Sequence, residues 1–266
     1  MSIYRYFRWI VGSLTIFSIG LIFAAYHFKW TGAGFSNKTF WDWMQLLIIP
    51  IALAVVAIWF NRVERRNEQA IASDNQQEAA LQSYFDKISE LLLRENLRES
   101  TSDTEVQVIA RVWTLTVLRR LDNERKGNIL KFLYESGLIE QDEPIIRLDQ
   151  ANLAGADLKI AYLKGAYLGA SNLDGANLQG ASLVEAKLLF ADLIRADLSE
   201  ADLQDANLAG TDLSGANLSK TDMQGANLHN ANLNGADLKG AKITEEQLKD
   251  VKSLKGTILP DGSKHA

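Results

Sequence analysis

The chain of 266 residues contains no cysteine and only three histidines, and this scarcity limits the chemistry it can perform. Without cysteine there are no disulfides and no thiol nucleophiles, which agrees with an intracellular location for the bulk of the chain. His27, His229 and His265 lie far apart in the sequence, and none has a partner at metal-ligand spacing. No glycine-rich phosphate loop is present either. The sequence therefore predicts no enzyme, no catalytic residue, no cofactor and no metal site.

The charged residues give no stronger indication of a reaction. Acidic side chains in the C-terminal half are scattered, and nothing in the sequence buries one of them selectively to make a protonated acid beside an ionised base. The Gly-Gly-x-Gly-x-Asp pattern of calcium-binding β-rolls is missing. The basic pairs Arg119-Arg120 and Arg125-Lys126 could contact anions, but four charges on amphipathic helices are typical of a solvated face.

What the chain does contain is a strict period of five residues. Nineteen consecutive pentapeptides run from Ala151 to Glu245 without insertion, each centred on leucine except at Met223 and Ile243. A small residue, usually alanine, stands two positions before each centre, as a narrow core requires. Five matches neither the 3.6-residue period of a helix nor the two-residue period of a strand, so the chain must turn a corner in every unit. Four corners make a coil of twenty residues, and nearly five coils would rise about 23 Å.

Disorder is the alternative for a tract so rich in alanine, aspartate, asparagine and glycine, but disorder does not maintain a leucine phase. The units, with the pattern A(D/N)Lxx, resemble the pentapeptide-repeat family, and the resemblance covers about a third of the chain. It implies a right-handed quadrilateral β-helix. Residues 75–139 further resemble a region of two-span membrane pentapeptide-repeat proteins of photosynthetic bacteria, to which no activity is attached.

Two apolar stretches near the N-terminus predict a transmembrane hairpin over residues 1–60. Trp9 to Tyr26 and Met44 to Phe60 carry no charge, and with flanking aromatics the spans, about 9–28 and 43–60, approach the roughly 20 residues needed. A cleaved signal peptide is the alternative for the first, disfavoured by the second span close behind. Arginines outside both spans predict cytoplasmic termini. We expect a multi-pass protein of the bacterial inner or thylakoid membrane, with the repeats in the cytoplasm.

Residues 61–140 predict a cytoplasmic helical stalk and helical domain. A capping box at Ser102 to Glu105 predicts the start of one helix, and a further helix is expected from near Asp122 to Gly137. The first of these two has a broad apolar face that we expect to be buried: Val108, Ile109, Val112, Trp113, Leu115 and Leu118.

The repeat region itself is predicted over residues 146–245, with Ile146 in a widened opening unit. Residues 246–266 are expected to form a C-terminal cap and tail, because Thr244 to Gln247 is a capping box that leads into a short helix ending near Val251. Repeat proteins need such caps to cover their open ends.

One group of outward positions interrupts the polar surface of the predicted rod. Because residues twenty apart stack, these positions are expected to form one patch across two neighbouring faces of the first three coils. A contiguous apolar patch usually marks a contact, whereas single exposed apolar residues are ordinary. This rod patch, the candidate interaction site, comprises Ile160, Tyr162, Tyr167, Val184, Leu189, Phe190 and Ile194.

Two function classes follow. The favoured one is a membrane-anchored scaffold for protein–protein interaction, whose partners are the lipid bilayer and an unidentified protein, with a homo-oligomer as a further alternative. The other is a nucleic-acid mimic, since some members of the resembled family imitate DNA with acidic rods and protect gyrase. Residues 148–243 hold twelve acids and seven bases, a net charge of −5. Duplex DNA of the same length carries about 13 charges. Nucleic acid or its mimicry is therefore not expected.

Overall fold

The computed structural model describes residues 40–100, 104–140 and 144–266, with side chains from Ile51 onward. The chain divides into two compact units, Met1–Ala72 and Ser73–Ala266, and the boundary falls within the first helix. The helices are α1 (Phe40–Arg94), a 3-10 turn (Leu97–Glu99), α2 (Glu105–Leu118), α3 (Asn123–Glu135) and, after the repeats, α4 (Glu245–Lys249). The predicted domain boundaries remain predictions.

The predicted membrane hairpin is contradicted. Within the described ranges, no helix is long and apolar enough to cross a membrane. Helix α1 continues for 55 residues, from Phe40 to Arg94, and so extends well past its apolar N-terminal part. Asn61 and Arg62 then begin a polar stretch. The second span and the multi-pass localisation built on it are therefore wrong, and the first predicted span lies outside the described residues.

The helical part of the second unit has a small apolar core. Leu81, Tyr84, Ile88 and Leu91 on α1 are buried at the three- and four-residue spacing that places them on one helix face. They face α2, where Ala110, Thr114 and Leu118 are buried every fourth residue. The hydroxyls of Tyr84 and Thr114 are 2.9 Å apart, so the polar atoms in this core are paired.

Helix α2 differs from its prediction in two respects. It begins at Glu105, with Thr104 at the N-cap making no side-chain hydrogen bond, while the other residues of the predicted capping box lie outside the described ranges. Moreover, only one side of α2 is covered. Val108, Ile109 and Val112, which we expected to be buried, are exposed.

The limits of α3 agree with the sequence signals. The Asp122 carboxylate accepts a hydrogen bond from the backbone N–H of Arg125, which caps the first turn. At the other end, Gly137 has φ +68° and the N–H of Leu138 donates to the carbonyl of Leu133, which together form a Schellman motif.

The repeat region forms the predicted four-sided coil. Parallel bridges join residues twenty apart, from Asn152–Asn172 to Asp222–Lys242. Nearly all central residues donate their N–H to the next coil; for example, Leu193 donates to the Asp212 carbonyl at 2.8 Å. The central leucines, Met223 and the small residues before them are buried, whereas Ile243, in the last unit, is half-buried. The pentapeptide β-helix is therefore confirmed.

The fifth residue of every unit except the last, at the corner of the coil, adopts a left-handed conformation. Glycine takes it freely, but side chains also occur there, including Ile160 with φ +56° and Phe190 with φ +58°. The aspartate or asparagine at the second position helps to hold the turn: the Asn152 Oδ1 accepts from the N–H of Ala154, and Asp174 and Asn172 repeat the arrangement. This second position is therefore structural, and not free as the outward direction of its side chain suggested.

Helix α3 and the segment after it close the first coil. The N–H of Asp157 donates to the carbonyl of Asn123 at 2.8 Å, and the N–H of Tyr167 donates to that of Ile139 at 2.9 Å. The Lys126 ammonium donates to the carbonyl of Ala154 at 2.7 Å, and burial lowers the pKa of this lysine. The coil edge, which would otherwise present unpaired backbone groups, is satisfied by the helical region.

The last coil is closed by α4 and the residues after it. Thr244 and Gln247 form the predicted capping box, and the Gln247 Nε2 also donates to the carbonyls of Met223 (2.7 Å) and Ala226 (2.8 Å). The chain then returns to the coil, where Ser253 and Ile258 form parallel bridges with residues 232 and 237. The predicted cap is therefore present, with α4 ending at Lys249.

Candidate interaction surfaces

The structure places the rod patch on more than the two faces expected. The bridges put Tyr162 beneath Ser182 on one face and Tyr167 beneath Lys187 on the next. Counting five residues per face, Val184 shares the first of these faces and Leu189 the second, while Ile160 and Phe190 stand at the outer corners of the pair. Ile194 lies on a third face. The first six residues therefore lie on these two faces and at their outer corners, with Ile194 on a neighbouring face; their role as a contact site stays a prediction.

The most exposed residues of the rod patch are the two at its corners, Ile160 and Phe190, and Tyr162 on one face. Ile160, Tyr162 and Phe190 are 72%, 66% and 67% exposed, while Tyr167 and Val184 are half-buried. Each corner side chain packs along the rod toward the corner of the next coil: Phe190 lies against Gly210, where a Cβ atom would be 2.5 Å from the ring. Glycine at 210 thus makes room for the ring. A left-handed conformation costs a non-glycine residue about 1 kcal/mol, so Ile160 and Phe190 each lower the stability of the rod relative to glycine at the same corner.

One edge of the rod patch touches the helical region. The rings of Tyr162 and Tyr134 meet edge to face, with centroids 6.2 Å apart. Burial, together with the negative charge of Glu140, raises the pKa of Tyr134 to about 12, so this phenol is neutral at physiological pH. Tyr162 is thus partly engaged within the chain, while Leu189 and Phe190 face outward.

Some of the charged side chains of the rod form ion pairs between neighbouring coils. Lys220 pairs with Glu200 at 2.9 Å and Lys242 with Asp222 at 2.7 Å, in each case one coil apart. Arg195 bonds Asp174, and Lys164 bonds Glu185. Within the described ranges, no group of three or more histidine, cysteine or acidic side chains could hold a metal ion.

The helical region carries two surface features that the sequence did not reveal. A shallow cleft of about 230 Å³ is lined by residues of α1 and α2 and by Arg120, with Trp113 on one wall. The Lys87 ammonium lies 5.0 Å from the centre of the Trp113 ring, a cation–π distance. Beside the cleft, the outer face of α2 exposes Val108 and Val112 by 49% and 51%. Helical periodicity marks these residues as apolar, but it does not show whether another element covers them.

Stacked four-sided coils with a leucine core define a pentapeptide solenoid joined to a helical region. Residues 161–200 and 201–240 match the family described as pentapeptide repeats, with eight copies. The chain belongs to the pentapeptide-repeat family. Proteins of this family are generally non-catalytic.

Three solved structures illustrate the similarity. HetL of Nostoc sp. PCC 7120, a pentapeptide repeat protein involved in regulating heterocyst differentiation, is 36% identical over 45% of this chain and 66% of HetL, with a TM-score of 0.32. A pentapeptide repeat protein of the Arabidopsis thaliana thylakoid lumen is 32% identical over 36% and 63% of the two chains (TM-score 0.29). The Nostoc protein alr5209 is 35% identical over 41% and 78% (TM-score 0.33). The chain thus spans just under two thirds of the first two relatives. A comparison with curated proteins gave no match.

Proposed function

We propose that the protein is a non-catalytic scaffold whose repeat rod binds a partner protein through the rod patch. The observation that carries this proposal is the retention of exposed Ile160 and Phe190 at left-handed corners, where glycine, asparagine or aspartate would be less strained. Stability alone does not favour large apolar side chains at such positions, whereas a contact surface does. The partner is expected to present apolar side chains that complement the corner formed by Leu189 and Phe190.

The ion pairs along the rod argue against nucleic-acid mimicry. A mimic must present uncompensated negative charge, since duplex DNA carries one charge per about 1.7 Å. Here Glu200 and Asp222 are each paired with a lysine one coil away. These pairs leave the rod without a continuous acidic stripe, and a protein partner remains the proposal.

The test is affinity capture of the full chain after cross-linking in cells, followed by mass spectrometry. Leu189→Ser/Phe190→Asn removes the exposed apolar corner, and asparagine tolerates the left-handed conformation. Asp205→Asn is the matched control, because Asp205 is an exposed corner residue with φ +56° outside the rod patch. We expect the double variant to lose specific partners that the wild type and the control retain, with unchanged circular dichroism. Equal recovery of the same proteins by all three chains would contradict the proposal.

A further inference from the structure

A second surface, on α2, carries an inference that does not depend on the rod patch. Along its outer face, exposed side chains recur at helical spacing, with apolar residues in the middle and one charge at each end. We call this face the α2 stripe; it consists of Glu105, Val108, Ile109, Val112, Thr116 and Arg119.

The α2 stripe is symmetric about Val112. Glu105 lies seven residues before Val112 and Arg119 lies seven residues after it. Seven residues are close to two helical turns, so all three side chains point to the same side. At about 1.5 Å per residue, Glu105 and Arg119 are about 21 Å apart. The two charges are therefore too distant to pair within one chain.

These two end charges also lack other partners. In the part of the chain that the structure describes, neither Glu105 nor Arg119 forms an ion pair, whereas Arg111, on the inner side of the same helix, bonds Asp149 at 2.9 Å. An acidic start, an apolar centre and a basic end make a surface that complements itself when it is turned end for end. Self-complementarity of this kind is what an isologous two-fold contact requires.

We propose that a second copy of the chain packs antiparallel along the α2 stripe, with the two-fold axis at Val112. Each Glu105 then lies opposite Arg119 of the other copy, and Val108 and Ile109 lie opposite the segment around Thr116. In the antiparallel pair the two helix dipoles run in opposite directions, so the positive end of each helix lies beside the negative end of the other. A parallel pair would instead bring Glu105 against Glu105 and Arg119 against Arg119, which repel.

Charge reversal in the full-length chain tests this arrangement, with the dimer dissociation constant measured by sedimentation. Glu105→Arg and Arg119→Glu should each weaken the dimer about tenfold, because each converts two attractive contacts into two repulsive ones. The combined variant should return to within about threefold of the wild type. It reverses both charges against the helix dipole, so effects within one chain cannot produce this recovery. Lys131→Glu, an exposed lysine on α3, is the control and should leave the dimer unchanged.

Cross-linking supplies a readout that is independent of affinity, because the native chain has no cysteine. Val112→Cys should form a disulfide-linked dimer on mild oxidation. Glu105→Cys should cross-link efficiently only when mixed with Arg119→Cys, since antiparallel packing separates the two copies of residue 105 by about 21 Å. A wild-type chain that is monomeric at all concentrations, or Glu105→Cys that cross-links to itself and not to Arg119→Cys, would overturn the proposal. The Leu189→Ser/Phe190→Asn variant should stay dimeric, which separates this contact from the rod patch.

Discussion

Replacing Gly127 with alanine should destabilise the protein, although alanine is the better helix former. Gly127 lies inside α3, and a Cβ atom built on it would be 2.0 Å from the backbone carbonyl oxygen of Asp157 in the first coil. A contact below 3.0 Å is not tolerated, so α3 must retreat by about 1 Å. The obstacle is backbone and cannot rotate away.

The size of the destabilisation can be worked out from the hydrogen bonds between α3 and the first coil. A retreat of about 1 Å stretches the bond from the N–H of Asp157 to Asn123 (2.8 Å) and that from Lys126 to Ala154 (2.7 Å) beyond hydrogen-bond length. Their loss costs about 1 kcal/mol for the backbone pair and about 2 kcal/mol for the charged donor. The higher helix propensity of alanine than of glycine offsets about 1 kcal/mol of this loss. We expect a net loss of about 2 kcal/mol in the free energy of unfolding.

Urea unfolding of the full chain measures this loss in stability. Hydrogen exchange at the Asp157 amide shows whether the contact between α3 and the first coil has opened. The matched control is Asn128→Ala, one residue along on the exposed side of α3, which should stabilise by a few tenths of a kcal/mol. A Gly127→Ala variant at least as stable as the wild type, with Asp157 still protected, would refute the reasoning.

Three further outcomes are expected. Leu193→Ala, in the buried column, should lower the free energy of unfolding by about 2–5 kcal/mol, and Leu189→Ala, partly exposed in the preceding unit, by less than about 1 kcal/mol; equal losses in urea titrations would contradict a packed core. Gln247→Ala should cost about 1–2 kcal/mol and speed amide exchange in the last coil, because the Ala226 carbonyl loses this donor and the Met223 carbonyl keeps only the Ala226 N–H; unchanged exchange would argue against this cap. Burial disfavours the ionised form of Asp122, yet hydrogen bonds from Arg125 outweigh it and lower the pKa of Asp122 below its ordinary 3.8. Its charge therefore stabilises above pH 3.8 and loses this effect as the pH falls through the lowered value, so the stability deficit of Asp122→Asn should vanish in acid; a deficit that persists there would contradict this assignment.

The repeat rod was predictable because its determinants are local and periodic. One leucine and one small residue per unit define the coil, and the buried Leu193 and Ala191 occupy the positions that the phase assigns to them. The C-terminal cap was predictable for the same reason, since Thr244 and Gln247 interact across three residues. The role of aspartate and asparagine in the turns was missed, because an outward direction was taken to mean freedom from structural demands.

The remaining features depend on contacts that no local pattern encodes. Val112 and Leu118 are both apolar residues of α2, but one is exposed and the other fully buried, according to where the other helices lie. The prediction for α1 failed because an uncharged apolar stretch near the N-terminus was interpreted as a membrane span. Ile194 shows a further limit, because counting units places it on a third face, although the prediction assigned all seven residues to two neighbouring faces.

Because each pentapeptide occupies one side of the coil, the number of units acts as an angular scale. Deleting five residues, for example 211–215, would turn everything beyond that point by a quarter turn relative to Phe190. Deleting twenty would restore the direction and shorten the rod by about 4.8 Å. Chain length in this region therefore sets orientation in steps of 90° and distance in steps of one coil. Insertions that are not multiples of five would break the leucine phase itself.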